Sequence, residues 1–308
     1  MTNKINFSKK LVLIAGPTAS GKSNLAIHLA KKIKGEIINA DSMQVYRETR
    51  ILTARPSKKE QKKIKHHLYG FLSIKRKFST GQWLKLASKK IKEIQKRKKI
   101  PLIVGGTGLY FKALVDGFVK IPKISIKKRN KIINLQKKIG QKNFYKRLII
   151  LDPKIKDNVN SNDIHRSIRA YEVKKFTKKS LVDWYKNTKS NFKKNDFIKI
   201  YLDCPRVTLL NRIDKRTNKM LKVGGIEEVK KIKNIKVPRS NSSTKIIGIV
   251  EIKNFLNKNQ NIKQTNDLIS IKTRQYAKRQ LTWARGQMKD WKVISDKETK
   301  LPLKKLFN

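Results

Sequence analysis

Apolar positions along this chain follow two periods, a continuous or alternating one and a helical one, and the two take turns. The unbroken apolar run from Leu11 to Ala15 predicts a buried strand, and behind it Leu25, Ala26, Leu29, Ala30 and Ile33 recur at helical spacing. Gly35 is expected to end that helix. "EIINAD" (Glu36 to Asp41) then predicts a second buried strand that closes on a carboxylate. Ser79 and Gln82 have the spacing of a capping box, which opens a helix with Trp83, Leu84, Ala87, Ile91 and Ile94 along one side. "IPLIVGG" (Ile100 to Gly106) predicts a third strand and "TGLYFKALVDG" the next helix. Strands that alternate with helices imply a parallel sheet covered on both faces.

The alternation stops after Gly117. From there to about Asn195 the sequence reads as helical and lysine-rich, until "FIKIYLDCP" (Phe197 to Pro205) supplies another apolar run. The expected organisation is therefore a core made of residues 1–118 and 196–308, with a helical insertion at 119–195. Residues 207–290 read as mostly helical, interrupted by a loop at "KVPRSNSST" (Lys236 to Thr244), where Pro, Ser and Asn cluster. The final "KLPLKKLFN" reads as a loosely held tail.

Composition changes this picture in two ways. At 308 residues with 38% hydrophobic content the chain can bury a full core. No window reaches the roughly 18 apolar residues of a membrane span, and "MTNKINFSKK" lacks a signal-peptide core, so a cytoplasmic protein with no membrane partner is expected. The single cysteine, Cys204, excludes an internal disulfide and a thiolate zinc cluster and reads as a small core residue. The net charge is +56, from 77 Lys and Arg against 21 Asp and Glu. Such a surface attracts polyanions, although a genome-wide bias toward Lys, Ile and Asn would produce it as well.

The chemistry is concentrated in "GPTASGKS", which fits G-x-x-x-x-G-K-[ST] with Gly16, Pro17, Thr18, Ala19, Ser20, Gly21, Lys22 and Ser23. Between a strand and a helix, its backbone N–H groups bind phosphate oxygens, Lys22 supplies a cation and the Ser23 hydroxyl can ligate Mg²⁺. The expected fold is an α/β, P-loop NTPase-like parallel sheet with helices on both faces and a helical insertion domain. Asp41 is placed either as a general base or water-mediated metal ligand, or as a helix N-cap. Many phosphate-loop enzymes end their third strand in an Asp, whereas this one ends in Gly105, Gly106 and Thr107. The glycines suggest close approach of a ligand, and Thr107 is either a donor into the site or a helix N-cap. Arg212 and Arg216 lie four apart, as in an anion clamp, or face solvent. Arg166 and Arg169 share a face in the same manner. The basic stretch Arg274 to Gly286 carries Tyr276, Leu281 and Trp283, a stripe that reads as docking onto a core. His66 and His67 have no metal-ligand spacing to another His or Cys and read as structural.

Together, "GPTASGKS", "INADSMQVYR", "TARP", "HHL", "GQW", "IPLIVGGTGLYFKALVDG", "NDIHRSIRAYEV" and "RQYAKRQLTWARG" resemble the tRNA dimethylallyltransferase family, in the family's order, from about residue 10 to 291. The resemblance implies that the phosphate loop holds the diphosphate of dimethylallyl diphosphate with Mg²⁺. The N6 amine of the adenosine immediately 3′ of the anticodon, in tRNAs reading codons that begin with U, attacks the allylic carbon and diphosphate leaves. It implies Asp41 as the base, Thr107 at the reacting adenine, and Lys22, Ser23 and Arg216 on the diphosphate. Asp41, Ser42, Met43 and Gln44 would hold the flipped nucleotide. Arg129, His165, Arg166, Ser167, Ile168 and Arg169 would contact the anticodon stem-loop. A monomer is implied.

The chain departs from the family pattern at Leu52, where glycine is usual, at Ile249 and Val250, where a tyrosine and a basic residue are usual, and at His165, where glutamine is usual. Lys245 remains as the basic candidate near the second of these. The alternatives from other classes are a small-molecule or nucleoside kinase and a non-catalytic RNA-binding P-loop protein.

Overall fold

The computed structural model describes residues 10–186, 188–238 and 240–300, and these divide into two compact units. The first comprises the described residues up to Val115 together with those from Phe192 onward, and the second spans Asp116–Asn191. The tail beyond residue 300 lies outside the described residues.

In the first unit, β1 (Leu11–Ala15) runs into α1 (Lys22–Lys32), β2 (Gly35–Asn39), the short α2 (Lys58–Lys63), β3 (His66–His67), α3 (Thr80–Lys96), β4 (Ile100–Gly105) and α4 (Gly108–Val115). The strands form one parallel six-stranded sheet. Its order is β3-β2-β4-β1-β5-β6, with β5 at Phe197–Asp203 and β6 at Lys292–Ser295. Every residue of β1 is buried, so its alternation divides side chains between two cores instead of between core and water. Leu11, Leu13 and Ala15 join Ile38, Ile103, Trp83, Ala87 and Phe111 on one face. Val12 and Ile14 join Leu25, Leu29, Leu102 and Leu202 on the other. β1 lies between β4 and β5, where the strand order reverses, and in such sheets ligands bind beyond the carboxyl ends of the strands at that point.

The capping box forms as expected: Ser79 Oγ accepts from the Gln82 backbone N–H at 3.3 Å and Gln82 Oε1 accepts from that of Ser79 at 2.9 Å. It starts α3 at the register that buries Trp83, whose indole N–H donates to the Asn39 carbonyl at 2.7 Å and whose ring stacks on Tyr110 at 4.3 Å. Gly35 does not end α1. The turn is made by Lys34 at φ 53°, and Gly35 opens β2 because a Cβ there would lie 2.2 Å from Leu102 Cδ1. β2 stops at Asn39, so Asp41 lies two residues beyond the strand.

Two edge strands have no apolar run to announce them. β3 pairs His66 with Ile37 and His67 with Ile38, and in β6 Ile294 alone is buried. Edge strands need little apolar sequence because half of their surface faces solvent.

Seven further helices are present among the described residues: α5 (Ile126–Leu151), α6 (Ile164–Thr177) and α7 (Leu181–Lys186), then α8 (Arg206–Met220), α9 (Ile226–Ile232), α10 (Ile249–Leu256) and α11 (Ile262–Gln287) in the first unit. α5, α6 and α7 make up the second unit. They close around Ile132, Phe144, Leu148, Ile168, Tyr171 and Val173, and α5 breaks at Gly140, where φ is 75°. A wide turn at Leu221–Gly225 separates α8 from α9, with Gly224 at φ 111°. Among the described residues no helix is long and apolar enough to cross a membrane.

Of the histidine pair, His66 Nδ1 lies 2.7 Å from the Ile64 carbonyl, while His67 joins a cluster centred on Glu36, which is 1% exposed. Burial pushes the Glu36 carboxyl up, but hydrogen bonds from His67 and Arg97, each at 2.7 Å, and from Lys99 at 3.2 Å outweigh it and hold the carboxyl at about 2. A carboxyl depressed on folding adds stability that is complete above its unfolded value and is lost as pH falls toward the folded value. Glu36→Gln should therefore cost about 2 kcal/mol at neutral pH. Urea unfolding of both proteins should show that gap shrinking between pH ~4.5 and ~2. A gap that stays constant with pH would contradict this assignment.

Candidate functional site

The loop between β1 and α1 is wound for anions. Ala19 at φ 65° and Gly21 at φ 97° turn successive backbone N–H groups inward, and α1 begins directly behind them. Within it, Lys22 Nζ donates to the Pro17 carbonyl at 2.8 Å. Burial pulls the Lys22 ammonium down to about 8, Asp41 opposes the shift and Arg216 adds to it. Ser23 is exposed on the first turn of α1.

Arg212 and Arg216 of α8 both reach this loop, one at a backbone carbonyl and the other at a side-chain hydroxyl. Arg216 donates to Thr18 Oγ1 at 2.7 Å. Arg212 instead pairs with Asp296 at 2.7 Å and donates to the Ser20 carbonyl at 3.3 Å, so the Asp296 carboxylate already occupies the guanidinium. Cys204 lies beside it in a small cluster with Leu209, Ile213 and Ala277. Burial pushes its thiol up to about 11, as suits a core residue.

Asp41 is fixed from both sides of its own backbone. Its N–H donates to Asn39 Oδ1 at 2.8 Å, and its carbonyl accepts from Asn39 Nδ2 at 2.9 Å. Its Oδ1 accepts from the Met43 N–H at 2.9 Å. No helix starts there, which removes the N-cap alternative: the turn is local and leaves Oδ2 without a donor among the described residues. Burial and then Asp41 raise the hydroxyls of Tyr69, Tyr110 and Tyr276 well above the usual tyrosine value, so all three stay protonated around the carboxylate.

Thr107 stands at the cap position of α4, where its carbonyl accepts from the Tyr110 N–H at 2.9 Å, but its hydroxyl is turned to the Asp41 turn. Its Oγ1 accepts from the Ser42 N–H at 2.9 Å, lies 3.3 Å from Ser42 Oγ and is bonded to Tyr276. The Thr107 N–H donates to the Ala40 carbonyl at 3.1 Å. The end of β4 and the Asp41 turn are thus stitched together. The glycines before Thr107 make room for this packing. A Cβ at Gly105 would fall 2.1 Å from the Ala40 carbonyl oxygen, and one at Gly106 would fall 2.1 Å from Gln280 Nε2.

Gln280 is the residue that sequence inspection missed. Its Oε1 accepts from the Thr18 N–H at 2.8 Å and its Nε2 donates to the Gly106 carbonyl at 2.9 Å, so one amide from α11 ties the phosphate loop to the end of β4. The available signal was the stripe of Tyr276, Leu281 and Trp283, which marked α11 as docking; Gln280 sits inside it. Gln44 turns its amide on the Thr53 and Ala54 carbonyls, at 2.8 and 3.2 Å, and so fixes a loop instead of presenting a free amide donor pair.

These groups open onto a cavity of about 290 Å³. Thr18, Asp41, Arg216, Tyr276, Arg279 and Lys245 supply its polar lining, and Ile51, Leu52, Met220, Ile246, Ile247 and Ile269 its apolar one. Among the described residues no three His, Cys, Asp or Glu side chains gather as a metal cage. A single exposed hydroxyl such as that of Ser23 suits Mg²⁺, which takes one or two protein ligands and completes its shell with phosphate and water.

In the second unit, Arg129 and Arg169 both reach the carboxylate of Glu172, which is fully buried. Arg166 lies 3.4 Å from Asp163, and its side chain remains 71% exposed; His165 is exposed too. Ser167 and Ile168, expected at an RNA surface, are buried in this unit's core, because α6 turns its 167–168 positions inward.

Residues 44–287 match the family model described as IPP transferase. The chain is 58% identical over 282 residues to a tRNA dimethylallyltransferase of Pelagibacter ubique (strain HTCC1062), covering 92% of this chain and 90% of that one. It is 43% identical over 289 residues to a protein of the same name from Rickettsia massiliae (strain Mtu5), covering 94% and 80%. Among solved structures, it is similar to a tRNA isopentenylpyrophosphate transferase from Bacillus halodurans, with a TM-score of 0.67, 33% identity and coverage of 94% and 90%. It is also similar to a eukaryotic dimethylallyltransferase captured acting on tRNA, with a TM-score of 0.82, 29% identity and coverage of 94% and 74%.

Proposed function

The chain belongs to the IPP transferase family, and from that premise we propose that it transfers a dimethylallyl group from dimethylallyl diphosphate to tRNA. The acceptor is N6 of the adenosine immediately 3′ of the anticodon in tRNAs that read codons beginning with U. One observation carries this assignment: the phosphate loop opens onto a cavity with Asp41 and Arg216 in its polar lining and isoleucine, leucine and methionine elsewhere in its wall. That lining suits a diphosphate with a short hydrocarbon tail better than the polar sugar and base of a nucleotide. We further propose, from the family resemblance, that the protein works as a monomer in the cytoplasm.

The N6 lone pair forms the new bond to C1 of the allyl group while the C1–O bond breaks and its electron pair leaves with diphosphate. The N6 proton passes to Asp41, whose Oδ2 is free to take it. The amine is a weak nucleophile because its lone pair is delocalised into the ring, so a positioned base lowers the barrier. Negative charge grows on the departing diphosphate beside the phosphate loop, where the backbone N–H groups of Ala19, Gly21, Lys22 and Ser23, the Lys22 ammonium and the Arg216 guanidinium can meet it. Ser23 would hold Mg²⁺ at this end of the site, and the ion would supply further positive charge to the leaving group. Thr107, fixed by Ser42 and Tyr276, stands beside the adenine that has left its stack, and Ser42, Met43 and Gln44 line its approach.

The second unit supplies contacts to the anticodon stem-loop through exposed Arg166 and His165, with Arg129 and Arg169 steadied by Glu172. Lys245 adds a further contact from the cavity wall.

Incubation with dimethylallyl diphosphate, Mg²⁺ and unmodified tRNA should yield prenylated adenosine and one diphosphate per transfer. ATP consumption without prenylation would instead mean a kinase, and salt-sensitive tRNA binding with neither reaction a non-catalytic RNA-binding protein. In that assay Asp41→Ala should lower kcat by about 10²–10⁴-fold with tRNA affinity nearly unchanged; normal turnover would remove Asp41 from the base role. For the RNA surface, Arg166→Ala should reduce the slope of log K for tRNA against log salt by about 0.7–0.9, and an unchanged slope would place the phosphates elsewhere.

A further inference from the structure

The apolar side of the cavity contains a wall that is unusually well fixed. The Glu228 carboxylate on α9 accepts from two successive backbone N–H groups, Ile51 at 2.7 Å through Oε1 and Leu52 at 3.1 Å through Oε2. The Gln44 amide holds the next two carbonyls, those of Thr53 and Ala54, and the Thr53 hydroxyl bonds back to the Thr49 carbonyl. Five hydrogen bonds thus fix the segment from Ile51 to Ala54, and a wall so held cannot swing aside for a larger occupant at low cost.

Leu52 is the side chain that this frame presents. It packs against two separate apolar clusters, one with Val45, Tyr46 and Ile246 and the other with Met220, Ile252 and Ile269. Its Cδ2 lies 2.9 Å from where a Cβ on Gly248 would stand, and Gly248 at φ 102° is itself confined to glycine. The leucine therefore occupies space that a glycine at position 52, the residue usual in the family pattern, would leave empty. Met220, Ile246 and Ile269, which surround it, also line the cavity.

We propose that Leu52 sets the length of the allylic chain that the enzyme accepts, admitting five carbons and rejecting ten, and that Glu228 is the positioning residue that holds it there. This rests on the proposed transfer of an allylic group from a diphosphate held by the phosphate loop. With the diphosphate on Lys22 and Arg216 and C1 facing Asp41, the hydrocarbon must run toward the apolar lining, and a second isoprene unit would have to displace Leu52.

The test compares kcat/KM for geranyl diphosphate and dimethylallyl diphosphate with the same tRNA. Leu52→Ala should raise the ratio of the ten-carbon to the five-carbon substrate by at least about tenfold, and Leu52→Val, which removes one methylene, should raise it less. Leu52→Met, which keeps the volume, should leave the ratio within about threefold of wild type. Glu228→Gln removes no cavity-lining atom and should still raise the ratio, which a purely structural role would not do. A wild type that transfers the five-carbon chain, with an unchanged ratio in Leu52→Ala and Leu52→Val, overturns the length proposal alone. A wild type that transfers neither chain overturns the transferase assignment and the length proposal with it.

Discussion

Lys22 is partly buried where the charges of Asp41 and Arg216 both act on it, and the charge balance of that trio governs the site. Burial, with Arg216 adding to it and Asp41 opposing it, brings its ammonium down to about 8, so without an anion in the loop the cation is only partly present at mildly basic pH. Everything that orders the site converges on keeping this trio in register. Asn39 fixes the backbone of Asp41, Thr18 receives Arg216, and the Gln280 amide joins the loop carrying Thr18 to the strand end carrying Thr107. A site arranged in this way is organised before substrate arrives and lacks only negative charge, which is the condition under which electrostatic stabilisation of a leaving group is strongest.

The parts of this arrangement that are local in sequence were legible in sequence. The phosphate loop, the central strands, the capping box at Ser79 and Gln82 and the docking character of α11 each follow from spacing over a few residues. What was not legible depends on approach between distant segments. Gly105 and Gly106 suggest a ligand when seen alone, yet the groups that crowd them are Ala40 and Gln280, the latter 174 residues from Gly106. Arg212 and Arg216 look equivalent on a helix face and both reach the loop, and the position of Asp296 on a following segment decides which one is already paired with a carboxylate. Ser167 and Ile168 lie in a motif rich in exposed basics, and the packing of α6 turns these two inward. The two edge strands were missed because a strand with at most one buried residue carries no period to read.

The departures from the family pattern also gain physical meaning. Leu52 is a rigidly framed wall of a cavity, tied to Glu228 and packed against Gly248. Val250 is exposed and Glu251 is buried against Lys272 and the Gly248 N–H, so the altered stretch alternates between packing and solvent. In the second unit the buried Glu172 shows that basic residues in a lysine-rich chain are not interchangeable. Two of them are held by a carboxylate, while Arg166 stays largely in solvent.

The central claim is that the phosphate loop completes its charge balance by taking up the diphosphate of an allylic substrate on Lys22. Calorimetry of dimethylallyl diphosphate binding, with Mg²⁺ and in two buffers of different ionisation enthalpy, reads that directly as protons taken up. With a free lysine near 8 and a bound one well above it, binding at pH ~8.5 should draw in more than about half a proton, with little uptake near pH ~6.5 and none in Lys22→Met. Proton uptake that does not change with pH in the wild-type protein, or that persists in Lys22→Met, would contradict the account.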